Sequence, residues 1–298
     1  MKIALLAFSV ALSLFSNALQ NAFGKSVLKT LADCLAFNCL ISLAATAVLL
    51  ATGGVPRMPS LFTLLLGIVF GLVTALSLVA HLSALSSGPM SYTVLIGSCS
   101  MLIPTFAGVL FWRETVHLSQ VLGVALLVLA FYIGVNPKKD SRITGRWLLF
   151  CSLAFLSSGA VGVMQKVHQS SSHRGELNLF LVIAFLTSTA AMALLLPAVR
   201  RQGEVPAFRL RSRFSLMALA CGVCTGLIHK INLYLSGVMP SILFFPLVNG
   251  CTILLAAVVA NIVFHERPTR RQVASLLIGV AAVALVGNAA ALLFPRAI

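Results

Sequence analysis

Ten apolar runs, most of them about 20 residues long, divide the sequence. A run of this length crosses the ~30 Å hydrocarbon layer of a bilayer as an α-helix, which rises about 1.5 Å per residue. Because lipid offers no hydrogen-bonding partner, each lipid-exposed segment has to satisfy its own backbone groups, and a helix does so. We therefore predict an all-α integral membrane protein with ten transmembrane helices. The predicted spans are residues 3–22, 34–52, 61–82, 91–112, 118–135, 147–165, 177–197, 214–236, 241–264 and 273–294.

The composition excludes the soluble classes of protein. Of the 298 residues, 59% are hydrophobic and only 9% are charged, whereas an ordinary soluble domain carries about 25% charged residues. A net charge of +15 would suggest nucleic acid as the partner of a soluble protein. Here the basic residues lie mainly between the apolar runs, where they set orientation and meet anionic headgroups. We expect the lipid bilayer as a partner and no nucleic acid.

Enzyme and cofactor chemistry finds little support in the residue patterns. The seven cysteines lie in or beside apolar runs, which is typical of small packing residues and predicts no disulfide framework. Cys221 and Cys224 form a C-x-x-C pair without the second Cys or His pair of a zinc site. His168 and His173 lack a metalloprotease-type carboxylate, and no phosphate-binding Gly-Lys loop occurs. We expect no metal, no cofactor and no enzymatic activity.

One pattern occurs twice, 152 residues apart. In the first copy, Glu114 closes the fourth run and Gln120 opens the fifth. Glu266 closes the ninth run and Gln272 opens the tenth. Duplication in an apolar chain is the usual ground plan of a transporter.

A weaker echo links the first run to the sixth. Ser16 and Lys25 correspond to Ser157 and Lys166, each 141 residues further along the chain. The first run also imitates a secretory signal peptide. Because the echo places it at the head of the first repeat, we predict that it is retained as a transmembrane helix.

The duplication divides the chain into residues 1–135 and 147–298, joined by a polar linker at 136–146. Each half contains five spans. Since five is an odd number, the second half enters the membrane upside down relative to the first, which gives inverted repeats. In that architecture the substrate site lies near the midplane between the repeats, and alternating access follows from one half rocking against the other.

Ten spans in a five-plus-five duplication, a Glu closing the fourth and ninth spans and Gln-Val opening the fifth and tenth resemble the drug/metabolite transporter superfamily, specifically its EamA-like members. The resemblance covers almost the entire chain. It implies transport of an amino acid, a metabolite, a drug or a nucleotide sugar. The usual Gly-Glu of that family appears here as Arg113-Glu114 and His265-Glu266.

Polar groups inside a bilayer are costly, so each is a functional candidate unless it snorkels or bridges helices. Lys230 is the sharpest case: it either snorkels or faces a cavity, where it would favour a carboxylate or phosphate on the substrate. The other candidates are neutral, and each alone could be an interhelical hydrogen bond. The predicted substrate-binding set is Lys230, Asn232, Tyr92, Ser98, Asn249, Gln20 and Asn17.

The titratable candidates suggest how transport is driven. His81 and His229 could accept a proton near neutral pH, or could bridge helices through a hydrogen bond. Glu114 and Glu266 end their spans and are interpreted as structural anchors or gate-closing ion pairs. All six acidic residues lie at span ends or in loops, which leaves no midplane carboxylate as a proton carrier. Facilitated exchange, or coupling through a histidine, is therefore favoured.

Several properties stay open at this stage. On the predicted topology, six Lys and Arg residues lie on the side of both termini and fourteen on the other side, so the charge bias places the termini outside, whereas the resemblance implies termini inside. The substrate, import or export and the oligomeric state, including a homodimer, are undetermined. We expect a carrier in the bacterial cytoplasmic (plasma) membrane. The alternatives are a lipid-linked sugar flippase of the same fold and a membrane sensor or structural protein that does not transport.

Overall fold

In the computed structural model the chain is described over residues 2–27, 30–53, 58–88, 90–134, 143–201, 212–264 and 269–293. These residues form eleven α-helices and one short 3-10 helix, with no strand, so the all-α prediction is confirmed. The helices are α1 (Lys2–Val27), α2 (Leu31–Thr52), α3 (Leu61–Ser87), α4 (Met90–Cys99), α5 (Leu102–Trp112), α6 (Leu118–Gly134), α7 (Gly145–Ser170), α8 (Leu177–Arg201), α9 (Ser212–Val238), α10 (Ser241–Phe264) and α11 (Arg270–Leu293), and the 3-10 helix is Arg174–Glu176.

Wherever the structure describes them, the ten predicted runs lie on these helices. The fourth run is divided between α4 and α5. At the break, the Ser100 N–H donates to Gly97 O and the Ile103 N–H donates to Ser100 O, each at 3.1 Å. Pro104 lies in the first turn of α5, where its missing N–H removes no helical hydrogen bond. The apolar run therefore forms two short helices instead of one.

Among the described residues, seven segments are long and apolar enough to cross a membrane. Their outward surfaces are apolar too, with Phe111 and Leu194 exposing 77% and 79% of their area. Both properties are compatible with a membrane protein. The segments are Lys2–Gln20, Leu31–Thr52, Leu61–Ser87, Tyr92–Trp112, Gly145–Ser170, Arg174–Val199 and Ser215–Val238, and Leu118–Gly134 and Ser241–Ala256 are shorter apolar helices.

The helices pack into two compact units, and each unit takes residues from both halves of the sequence. The predicted division into residues 1–135 and 147–298 follows the duplication, and it stays a prediction. Unit 1 consists of Met1–Val79 and Val167–Gly237, and unit 2 of Ala80–Lys166 and Val238–Ile298.

In unit 1, α2 packs against α8 along most of its length. Near the end of α2, Leu49 O accepts a hydrogen bond from Asn178 Nδ2 at 2.8 Å. Nearer its start, the Cys39 thiol lies 3.9 Å from Thr189 O, to which it donates. The partner number rises as the α2 number falls, so the two helices run antiparallel.

In unit 2, α6 packs against α11 through two matching contacts. Ser275 Oγ donates to Ala130 O at 2.7 Å, and Gly123 lies directly against the Ala282 carbonyl. Residue 275 is 152 positions after 123, and residue 282 is 152 positions after 130. Each contact is therefore the counterpart of the other under the sequence repeat, as in a two-fold symmetric interface. The helices run antiparallel.

The repeated glutamine lies in the first turn of both of these helices. Gln120 Oε1 accepts the His117 N–H at 3.0 Å, and Gln272 Oε1 accepts the Thr269 N–H at 2.8 Å. In the second copy the Gln272 N–H also donates to Thr269 Oγ1 at 3.3 Å, which completes a capping box. The Gln of the repeated Gln-Val pair is thus a helix-start residue in both copies.

The contact between α6 and α11 predicts a glycine requirement at position 123. A Cβ on Gly123 would lie 2.6 Å from Val286 Cγ2 and 2.9 Å from Ala282 O. We expect Gly123→Ala to lower the free energy of unfolding by about 1–3 kcal/mol through overpacking, measured as a lower Tm in detergent. Gly145→Ala is the control, since nothing lies within 4 Å of a Cβ there. Equal Tm values for the two variants would contradict the packing.

Candidate functional site

One buried polar group of unit 1 without a hydrogen-bonding partner among the described residues is on α9. His229 packs edge-on against Phe185 of α8, with the ring centroids 5.2 Å apart and an interplanar angle of 89°. Its Nδ1 atom is buried and makes no hydrogen bond to the described residues. Leaving a buried polar atom without a partner costs about 1–3 kcal/mol, so such an atom calls for a functional explanation.

Asn232 lies on the same side of α9 as His229, because residues three apart are neighbours on a helix. Its Oδ1 accepts a hydrogen bond from Ser9 Oγ of α1 at 2.6 Å. Ser9 is fully buried. The structure therefore brings two of the predicted residues together on one helix face and ties that face to α1.

The two candidates on α1 have different surroundings. Gln20 Nε2 donates to Ser16 Oγ at 3.1 Å, and Ser16 is buried. Ser9, Ser16 and Gln20 are spaced by seven and four residues, which places them on one helical face. Asn17 is exposed and does not share that face.

Lys230 caps the end of a helix. Its Nζ donates to Thr52 O and to Thr52 Oγ1, both at 3.1 Å. Thr52 is the last residue of α2, so its carbonyl has no intrahelical donor. A cation is favoured at this negative end of the helix dipole. The ammonium predicted either to snorkel or to face a cavity thus lies at the C-terminus of α2.

Two of the predicted residues of unit 2 are satisfied within their own helices. Ser98 Oγ donates to Val94 O at 2.8 Å, and Asn249 Nδ2 donates to Phe245 O at 2.9 Å. Such bonds to the preceding turn satisfy a polar side chain without any partner helix.

Two further candidates lie elsewhere in unit 2. Tyr92 packs against the buried cluster of Ala84, Trp147 and Cys151. The His81 ring lies beside Gly97 of α4, where a Cβ would be 3.4 Å from His81 Cε1.

Unit 2 contains a buried ion pair of which the sequence identified only one partner, Glu114, as a possible ion-pair residue. Lys166 Nζ lies 2.9 Å from Glu114 Oε1, and the two side chains are 9% and 11% exposed. The Ser241 N–H donates to Glu114 Oε2 at 2.6 Å and Ser241 Oγ donates to Oε1 at 3.1 Å. Lys166 Nζ also donates to Met239 O at 3.2 Å. The carboxylate therefore caps the N-terminus of α10, where the helix dipole favours negative charge.

The sequence identified Glu114 as an anchor or gate residue and matched Lys166 with Lys25, but nothing in the spacing joined Glu114 to Lys166. The two are 52 positions apart and meet only through helix packing. Glu266, the counterpart of Glu114, lies outside the described residues.

The backbone before Glu114 is left-handed. Arg113, directly after α5, has φ 49° and ψ 39°, and the Glu114 N–H closes the helix by donating to Gly108 O at 3.3 Å. Glycine usually occupies this position because it has no Cβ.

Another carboxylate, that of Glu176 in unit 1, accepts hydrogen bonds at a helix start as Glu114 does. Glu176 Oε2 accepts the Ser60 N–H at 3.0 Å and Ser60 Oγ at 2.7 Å, just before α3. Nearby, the fully buried His168 stacks on Phe180 with centroids 4.3 Å apart, and its Nε2 is 3.4 Å from Thr63 Oγ1. No group of three or more His, Cys, Asp or Glu side chains that could hold a metal occurs within the described part of the chain.

Unit 2 also carries a surface groove of about 350 Å³. Apart from Ser152 its lining is apolar, and it contains none of the predicted polar candidates. The lining residues are Ile96, Leu148, Cys151, Ser152, Phe155 and Leu156.

No protein-family model matches the sequence, and no curated protein matches it. Solved structures do match. One crystal structure is 17% identical in sequence, with a TM-score of 0.75, and covers 98% of this chain and 97% of its own. At this identity the likeness shows a shared fold along almost the whole chain, and nothing more.

The position of Lys230 predicts a role in stability. We expect Lys230→Ala to lower the free energy of unfolding by about 0.3–1 kcal/mol, because α2 loses the cation at its C-terminus. Lys230→Arg keeps a donor and a charge, and should retain most of the stability. Thermal unfolding with and without a metabolite library measures both effects. An unchanged Tm together with lost stabilisation by anionic compounds would instead make Lys230 a substrate ligand.

The left-handed backbone conformation of Arg113 predicts a substitution that increases stability. Because a Cβ makes this conformation unfavourable by roughly 1–2 kcal/mol, we expect Arg113→Gly to raise the free energy of unfolding by about 1 kcal/mol. Arg113→Ala removes the same charge but keeps the Cβ, and should not stabilise. If both variants raise the Tm equally in thermal unfolding, the charge and not the backbone is responsible.

Proposed function

We propose that the chain is a ten-span carrier built from two inverted five-helix repeats. It moves a small metabolite, amino acid or drug-like compound across the cytoplasmic membrane by alternating access, as in the EamA-like drug/metabolite transporters that its sequence resembles.

The antiparallel packing of repeat-equivalent helices is the observation that carries this proposal. α2 and α8 are the second spans of the two halves, and α6 and α11 are the fifth. In each pair the helices run antiparallel and pack directly together. A duplication with both copies in the same orientation would make equivalent helices parallel, whereas a two-fold axis in the membrane plane makes them antiparallel.

The fourth spans agree with this arrangement. In unit 2, Gly108 of α5 lies against Ser241 at the start of α10. Gly162 of α7 lies against Pro104, which is earlier on α5, and against Phe245, which is further along α10. The order of contacts is reversed between α5 and α10, so this pair is antiparallel as well. The reciprocal contacts between α6 and α11 add the two-fold relation at the level of single residues.

The buried polar face of α9 supports a transport function. Intramembrane polar groups that do not cap helices are costly, and they mark ligand or proton pathways. His229 has an unsatisfied nitrogen and Asn232 lies one turn away, whereas Lys230 is already engaged at the end of α2. We therefore propose hydrogen bonding by neutral groups as the main means of substrate recognition, with His229 or His81 as the group for proton coupling if transport is coupled.

A flippase of the same fold would require a lateral slit lined by polar residues for the sugar headgroup. The surface groove on unit 2 is apolar except for Ser152. Among the described residues, this groove therefore gives the flippase no support.

Transport by the purified protein in liposomes tests the proposal. We expect uptake and counterflow of at least one compound in a panel of amino acids, amines and organic acids. His229→Leu should lower the rate about tenfold, the effect of losing a hydrogen bond of about 1.4 kcal/mol.

The control is Thr74→Val, because Thr74 Oγ1 donates to Phe70 O of its own helix, and it should transport normally. If no compound moves in either direction, the carrier proposal is wrong.

A further inference from the structure

The ion pair of unit 2 connects three helices at their ends. Glu114 follows α5, Lys166 lies in the last part of α7, and Ser241 begins α10. Both oxygens of the carboxylate are engaged, one by the ammonium and one by the first turn of α10. Lys166 also contacts the segment just before α10, because its ammonium donates to the Met239 carbonyl.

A buried ion pair is not the most stable way to hold helices together permanently. The desolvation of both ions offsets much of their attraction, and apolar side chains of similar volume are often equally or more stabilising. An ion pair has one property that an apolar contact lacks: both partners are well hydrated once separated. Such a contact suits a junction that is dry in one state and wet in another.

The helix surfaces at this junction are suited to separation. A Cβ on Gly108 would lie 2.4 Å from Ser241 Cβ and 2.6 Å from Glu114 Oε2. The end of α5 and the start of α10 therefore meet closely without a large side chain of position 108 inserted between them. At position 108, opening therefore requires hydration of polar groups and no withdrawal of a large side chain.

We propose that Glu114, Lys166 and Ser241 form a releasable latch that closes one side of the carrier, and that movement of the α10 N-terminus away from α5 opens it. This inference rests on the proposed carrier function. In the latched state the carboxylate holds both the ammonium and the helix start. Loss of the negative charge releases both.

The test uses Met239→Cys, because Met239 is buried, with 8% of the residue exposed, and because its carbonyl, not its side chain, takes part in the latch. Labelling by a membrane-impermeant thiol reagent is followed at this site by peptide mass spectrometry in leaky liposomes, which expose both sides. We expect slow labelling with the latch intact and at least about tenfold faster labelling after Glu114→Gln, which keeps the shape and loses the charge. Cys221 is fully buried in unit 1 and should stay unlabelled in every sample, which excludes global unfolding.

Glu176→Gln is the matched control. It removes the same charge from another helix start, that of α3 in unit 1, and should leave labelling at position 239 slow. Equal acceleration by both substitutions, or none by Glu114→Gln, would overturn the latch.

The double variant Glu114→Gln with Lys166→Met provides a second check. It leaves no unpaired buried charge but still lacks the carboxylate, so we expect labelling at position 239 to stay fast. A return to the slow rate would mean that the unpaired ammonium, and not the loss of the carboxylate, opens the junction in Glu114→Gln, and would overturn the latch.

The labelling rate needs no substrate, so the latch and the carrier can fail separately. Faster labelling without transport of any compound would support the latch as a moving junction and reject the carrier. Transport with labelling unchanged by Glu114→Gln would reject the latch alone.

Discussion

Helix ends are the main constraint on this protein, because lipid cannot hydrogen-bond the backbone groups that a helix leaves unpaired. The few charged side chains are used at these ends. Among the described residues, Asp33 completes a capping box with Thr30 at the start of α2, Glu176 holds the start of α3, and Glu114 holds the start of α10. All three carboxylates lie at helix N-termini, where the dipole favours negative charge.

The same constraint separates structural from functional polar groups. Lys230 and Asn178 donate to carbonyls in the last turn of α2, and Gln120 accepts at the start of α6. These side chains have a structural task. The Nδ1 atom of His229 has no partner among the described residues, and its side chain has no capping role there, so His229 is a better functional candidate than Lys230.

The repeat connects these local features with mechanism. Repeat-equivalent helices pack as antiparallel partners, and the contacts between Gly123 and Ala282 and between Ser275 and Ala130 repeat one arrangement from both copies. In the carrier proposed above, this internal symmetry would give two related ways of packing the same elements, which is the basis of alternating access in inverted repeats. The proposed latch concerns one of the junctions that such a change would have to open.

The sequence by itself determined the helices, because an apolar run of about 20 residues in lipid has no alternative to helix. It also predicted the repeat, since Gln120 and Gln272 are marked by their spacing. Only the tertiary structure decided the partners of the charged groups. Lys166 reaches Glu114, and Lys230 reaches Thr52 across 178 positions, because a salt bridge or a cap depends on which helices pack together. Apolar helices with similar surfaces carry no periodic signal for that choice, so the residues were foreseeable and their contacts were not.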